Sequence, residues 1–497
     1  MVGVMMTLVA CIKPADLPTL EVEPSTPYLA FPLLKARLTT DDLVAEVKSN
    51  AAISVNEDGV FHVVFDADPV IRAKSDIFPK TTFGLPVPIL DSVVRLPVPS
   101  IAEADIDSAV FKGDSLHFIL NSFEEGDVTL DLIIPEIGRS GVPLSRTYVI
   151  PFSNSPPSTL ITPKIALNGY ELNLTGGFLN LRYDARKEDG TRIILPLSFA
   201  QIDAFDFSYV QGQIGTTVFN TGLQNIPVDI QDTLVDGTYQ FTNPRIHFDI
   251  TNSFGMPIGI VANEVVLVTS SGEIHDITST LFEDITIISH PGINEVGGSR
   301  IDRLTFDRDN SNIVDIAQND IAEINYDIDI IVNPLALPDR DFFVTDSSAV
   351  RVEAKVDLSF EATVQEISLE QGLQVMLEKL DSISSLRLKV ILRNGMPLEF
   401  EPQISLLNSL QSDTILLQPE SRDMVSPAET DESGAVLSIT ESVIYYSLAE
   451  DLLMQLKDYT EMVLTLKLQS PDAGRKAAII RPEQMLEVLI GAEAQLR

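Results

Sequence analysis

Tryptophan is absent from the 497 residues, cysteine occurs once and histidine five times. The lone cysteine, Cys11, excludes an intramolecular disulfide and any metal cluster built on cysteine. Without tryptophan, a sugar site would have to be walled by tyrosine or phenylalanine. Basic residues are scarce: 34 Lys and Arg face 72 Asp and Glu, a net charge of −38 at pH 7. So acidic a surface disfavours nucleic acid and charge-driven docking on anionic lipid. It fits a self-repelling, solvated exterior that attracts divalent cations only loosely. No H-E-x-x-H, G-x-S-x-G, G-x-G-x-x-G or Walker pattern occurs, so nothing of that kind nominates an active site.

What is present is alternation. Pro244 to Ile260 begins with Ile246, His247, Phe248, Asp249 and Ile250, the period of a strand with one buried face. It then turns at Asn252, Ser253 and Gly255, and Pro257 closes the turn before apolar residues resume at Ile258. The device recurs as Leu386, Arg387, Leu388, Lys389, Val390, then Asn394, Gly395, Met396 and Pro397. A fainter copy is Leu116, His117, Phe118, Ile119, Leu120 and Asn121. The three starts, residues 116, 246 and 386, are spaced as equivalent strands of three related domains, the number this length suggests.

Thirty prolines, 26 glycines and turn signals every ten or so residues predict a mainly β chain. The expected fold class is a tandem of antiparallel β-sandwich modules, immunoglobulin- or fibronectin-like, with a few short helices. Residues 1–10 read as the remnant of a signal peptide, and 11–35 as a cysteine followed by a proline-rich tether. Residues 36–235 form a β-rich N-terminal region holding the first repeat. Residues 236–341 are a second sandwich, and 342–497 a third with short helices. Thr39 to Lys48 predicts a short helix. Capping-box spacings predict two more, from Ser368-x-x-Gln371 over Leu373, Met376, Leu377 and Leu380, and from Ser447-x-x-Glu450 over Leu452, Leu453 and Leu456. Leu85 to Pro99 reads as an irregular edge, because proline cannot donate to a ladder.

The apolar run Met1 to Ile12 carries no charge and stops at Lys13 and Pro14. It is too short to span a bilayer as a helix but suits the hydrophobic part of an export signal. Its Leu8-Val9-Ala10-Cys11 resembles the lipobox of bacterial lipoproteins. The resemblance implies a diacylglycerol on the Cys11 thiol, cleavage before it and a further acyl chain on its amine. Several acyl chains exceed the anchoring strength of one. No Lys or Arg precedes the run, which departs from that family and predicts a start codon farther upstream. The alternative is a buried thiol in an N-terminal strand. Prolines 14, 18, 24, 27 and 32 then make an extended spacer, reaching roughly 60 Å at about 3 Å per residue.

The strand, turn and Pro-[Ile/Leu] pattern resembles the β-sandwich of late-embryogenesis-abundant type 14 proteins over about 25 residues per unit. With its lipobox, tether and N-G-M-P-L turn, the chain is similar to large uncharacterised outer-membrane lipoproteins of the Bacteroidota. Neither likeness implies an activity.

Three chemical candidates remain. His117 and His247 share a repeat position at which the third copy has Arg387, the mark of a solvated strand face rather than a catalytic base. Asp307, Asp309, Ser311 and Asp315 stand at positions one, three, five and nine of a calcium loop. Asn312 and Gln318 replace its glycine and its bidentate glutamate. The competing reading is that Ser311 caps a short helix. Beyond that calcium candidate no cofactor is expected. Cys11 is the lipidation candidate. The expected function is a non-enzymatic, lipid-anchored scaffold or interaction protein of the cell envelope. It would contact the membrane through its lipid, and envelope proteins through strand edges and loops. The alternatives are a glycan-binding or adhesive surface lipoprotein, and a hydrolase using loop carboxylates. No acidic string follows Cys11, which favours the periplasmic face of the outer membrane over the cell surface.

Overall fold

The computed structural model describes residues 28–40, 51–56, 58–77, 81–82, 86–96, 104–174, 178–228, 237–317, 321–365, 367–374, 383–408, 413–421, 424–455, 459 and 461–496. Antiparallel strands dominate, and they assemble three β-sandwiches of one strand order. In the outer module one sheet runs Tyr28–Thr39, Met485–Leu496, Ile383–Asn394, Thr440–Leu448. Its second sheet runs Ile367–Gln374, Glu461–Gln469, Glu399–Asn408, Asp413–Leu417.

The middle module repeats this order. Phe61–Asp66, Ala349–Ser359, Pro244–Asn252 and Arg300–Phe306 form one sheet, with Ala51–Val55 added at its edge. Gln224–Pro227, Ile321–Val332, Ile258–Thr269 and Ile274–Asp276 form the other. The inner module does so again. Its first sheet is Val87–Ile89, Ser198–Ile202, Ser115–Ser122 and Ser158–Ile161. Its second is Val93–Leu96, Leu179–Lys187, Val128–Arg139 and Val142–Ile150.

In each module the first strand pairs with the last, and in the outer and middle modules the next module is inserted between the first strand and the second sheet's edge strand. Tyr28 faces Gln495, Phe65 faces Val356 and Ile89 faces Ser198. The chain therefore enters the outer, middle and inner modules in turn and leaves them in reverse. These pairings cut across the tandem boundaries expected at 235/236 and 341/342. Ala349–Ser359, expected to open the third unit, lies beside Pro244–Asn252 of the second. Residues 28–35, expected in the tether, belong to the outer module's edge strand. A bulge between Pro32 and Leu34 admits the proline there, and an edge tolerates its missing N–H.

The three repeat strands occupy one position, and each leads from one sheet into the other across a turn. Asn252 and Asn394 are equivalent in detail. The Asn252 amide donates to the carbonyls of Met256 and Ser289, both at 3.0 Å, and its Oδ1 accepts from the Phe254 N–H at 2.9 Å. Asn394 donates to Leu398 at 2.7 Å and Ser426 at 2.9 Å, and accepts from Met396 at 2.8 Å. Asparagine suits this turn because one planar amide satisfies a buried N–H and two carbonyls at once.

Alternation fills the cores. Ile246, Phe248 and Ile250 are buried, and the Phe248 ring meets Phe306 and, from the opposite sheet, Tyr326 at 5.1 Å. Burying such a ring contributes about 2–3 kcal/mol. Tyr446 bridges the outer module's sheets, its hydroxyl donating to the Pro402 carbonyl at 2.7 Å. Burial pushes the Tyr446 phenol up to about 12.

Ile367–Gln374 is a strand where a helix was expected, because pairing with Glu461–Gln469 overrides the capping-box pattern. Residues 375–382, which hold the rest of that expected helix, lie outside the described residues, as do 41–50. The other capping box is followed by the helix Glu450–Gln455. Leu85 to Pro99 supplies the edge strands Val87–Ile89 and Val93–Leu96.

Two junctions link the modules, and they share one design. Phe207–Gln213, leaving the inner module, pairs with Asp105–Phe111 of that module and with Phe343–Thr345 of the middle one. Glu361–Gln365, leaving the middle module, pairs with Thr238–Phe241 of that module and with Ala478–Ile479 of the outer one.

Candidate functional site

Cys11 and residues 1–27 lie outside the described residues. The chain becomes described at Tyr28, where it enters the outer module's edge strand.

The calcium candidate follows the strand Arg300–Phe306. Two of its four side chains are turned on the loop's own backbone. Asp307 Oδ1 accepts from the Asp309 N–H at 2.9 Å, and the Ser311 hydroxyl donates to the Asp307 carbonyl at 2.6 Å. Asp315 lies in the helix Ile313–Ile316, which starts at Asn312 without a side-chain cap. Asn312, the departure from the calcium pattern, instead reaches across, accepting from the Thr278 N–H at 2.8 Å and donating to the Asp276 carbonyl. The helix expected over Ile313 and Ile316 is thus present, while the Ser311 hydroxyl bonds backwards instead of capping it. Among the described residues no group of three or more His, Cys, Asp or Glu side chains is placed to hold a metal ion.

The histidines are not on a solvated face. His117 and His247 do share a repeat position, but their side chains are only 12% and 11% exposed. Each lies beside a carboxylate carried near the end of its module's last strand. His117 Nδ1 is 3.9 Å from Asp203, and His247 Nε2 is 3.6 Å from Asp357. In the middle module His62 Nδ1 also bonds Asp357, and His247 Nδ1 meets the Thr305 hydroxyl at 2.9 Å. His62, Asp357, His247 and Thr305 therefore form a polar belt across four adjacent strands. Burial alone would raise the Asp357 pKa. The hydrogen bonds from His247 and His62 outweigh it and hold the carboxyl well below the usual range. Counted from the equivalent Asn252 and Asn394, the outer module's counterpart of His247 is Lys389 and not the expected Arg387. Arg387 lies two residues farther back on the same face, paired with Glu420 at 2.6 Å and stacked 3.8 Å from the Tyr445 ring centre. Each such pair ties a cation-capable side chain to a carboxylate and fastens neighbouring strands.

The junction between inner and middle modules is ionic. Arg340 bridges Asp105 and Asp107, and Lys74 reaches Asp206 and Asp346, each at 3.2 Å. Lys112 adds a contact to Asp346 at 3.0 Å. The outer module carries a shallow groove on its first sheet, lined by Leu33, Lys35, Lys389, Ile391, Leu489 and Gly491. Among the described residues, no helix is long and apolar enough to cross a membrane.

His62, Asp203 and Asp357 carried no signal in the sequence. Their partners lie up to 295 residues away, and only the nested pairing brings them together.

No protein-family model matches the chain, and a search of curated proteins gives no match. Among solved structures it is similar to a protein from Parabacteroides distasonis whose description calls it secreted. The identity is 10%, the overlap covers 94% of this chain and 99% of that one, and the TM-score is 0.32. The infectious bursal disease virus Gx strain structure overlaps at 8% identity, over 92% of this chain and 85% of that one, with a TM-score of 0.13.

Proposed function

We propose that the protein is a non-enzymatic, lipid-anchored scaffold or interaction protein of the cell envelope, held to the periplasmic face of the outer membrane through Cys11. The observation that carries this reading is the order in which the chain enters its modules. The apolar run, the cysteine and the proline spacer lead straight into the edge strand Tyr28–Thr39 of the outer module. The lipid-bearing end then belongs to the outer module, and the inner module stands two junctions away from it along the nest. The acidic surface supports the same reading, since a surface repelled by anionic lipid needs a covalent tether.

Expression behind a basic signal-peptide head, in a bacterium fed a labelled fatty acid, tests the anchor. The wild type takes up label and fractionates with membranes, and Cys11→Ala loses both. A mature protein that stays unlabelled with Cys11 intact overturns the reading. Binding on a glycan array would replace the scaffold role with the glycan-binding alternative.

A further inference from the structure

The nest repeats one contact and then stops. In the middle and outer modules, the end carrying the asparagine turn receives the next module inward. The Gly255 N–H bonds the Phe343 carbonyl at 2.9 Å, and Phe343 belongs to the strand that pairs with the chain leaving the inner module. In the outer module Ser470 exchanges backbone and hydroxyl bonds with Val364, on the chain leaving the middle one. Two residues after each asparagine is a large apolar side chain, Phe254 or Met396, and both are fully buried. At the same end of the inner module the turn follows Ser122, whose hydroxyl accepts from the Glu124 N–H at 3.2 Å, and the residue between them is Phe123. It is 49% exposed.

The loops around Phe123 are exposed and apolar as well. Leu90 follows Ile89, which pairs with Ser198, so it adjoins Leu197. Asn121 bonds the Leu197 carbonyl and accepts from Thr159, and the Phe152 N–H donates to Asp127. Four loops thus converge on one end, bearing Leu90, Phe123, Phe152, Ile194 and Leu197, all exposed. Monomeric proteins rarely leave large apolar side chains clustered this way without a partner. The loops also carry Asp91, Glu124, Glu125, Asp127, Glu188 and Asp189, against Lys187 and Arg192. An acidic rim repels a second copy of itself and an anionic membrane. It complements a protein surface with an apolar centre ringed by Lys and Arg.

We infer that this end of the inner module is a docking site for a partner protein of that chemistry. The partner would occupy the place that another module fills at the corresponding ends of the middle and outer modules. This rests on the interaction-protein reading and deepens it. Phe123 and Leu197 would be anchors at the centre, and the carboxylates would steer the encounter.

The test is a photo-crosslinking residue placed at Phe123, or at Leu197, in the full-length protein in its own cells. The inference expects one discrete adduct with a different protein. That protein, purified, should bind the purified chain with an affinity that falls as salt rises. Phe123→Asp or Leu197→Asp should weaken binding at least tenfold while leaving the melting temperature unchanged. Val443→Asp, on the outer module, should leave binding unchanged. No adduct, an adduct with a second copy or with lipid, or binding indifferent to salt and to both tip variants overturns the inference. Loss of the adduct with the fatty-acid label intact refutes the docking site alone. Loss of the label with the adduct intact refutes the anchor alone.

Discussion

The middle and outer modules end their repeat strand on a buried asparagine, and the inner module ends it on Ser122. Asn252 and Asn394 close a turn that is itself part of a core, each bonding the carbonyl four residues on. Ser122 accepts from the Glu124 N–H instead, and Phe123 beside it stands in solvent. The strand order is the same, so the difference is not one of fold. It lies in what the turn is packed against. A shared scaffold thus presents an internal joint twice and an external surface once.

Core and turn can be separated by substitution. Phe248→Ala should have the largest effect, a loss of about 3–5 kcal/mol in denaturant unfolding, since the ring is buried between both sheets of the middle module. A loss below about 1 kcal/mol would show that the repeat strand has no core face. Asn394→Ala should come next, at about 2–3 kcal/mol. It leaves the Leu398 and Ser426 carbonyls and the Met396 N–H without the amide they share in a buried turn. Ser122→Ala should cost less, because its hydroxyl accepts one hydrogen bond in a turn that borders solvent; equal costs would erase the distinction drawn between the modules.

The smallest effect concerns the polar belt. Asp357 has a depressed pKa in the folded protein, so its contribution is complete above the unfolded carboxylate value of about 3.9. It is lost as pH falls below that value and through the folded pKa. Asp357→Asn should therefore cost about 2 kcal/mol at pH 7, and progressively less in strong acid. A cost that stays constant with pH would show that the belt acts by shape and not by charge.

Much of the fold was legible because it is local. Alternation at Ile246 to Ile250 and the turns from Asn252 to Pro257 and from Asn394 to Pro397 announced the sandwich strands, and Asn252 and Asn394 sit at one structural position. The nesting was not legible. Tyr28–Thr39 carries no mark that its partner is Met485–Leu496, because ladder bonds are made by backbone groups common to every residue. The same blindness hid the histidine belt. Alternation correctly pointed His247 away from the sandwich core, yet nothing in sequence told that Asp357 and His62 would crowd it there. The strand at Ile367–Gln374 was missed for the opposite reason, a local helix signal outvoted by a distant partner.

Closure of the outer module joins the first described strand to the last, and this fixes a timetable. During synthesis or export, Val87–Ile89 can find Ser198–Ile202 early, while Tyr28–Thr39 must wait until Met485–Leu496 has emerged. The modules therefore complete themselves from the inside outwards, and the cost in loop closure grows at each step. A chain stalled or clipped before residue 485 would hold two finished inner sandwiches and a bare edge strand at Tyr28–Thr39. Such an edge is a template for aggregation. Pairing with Met485–Leu496 is thus what hides the edge of Tyr28–Thr39.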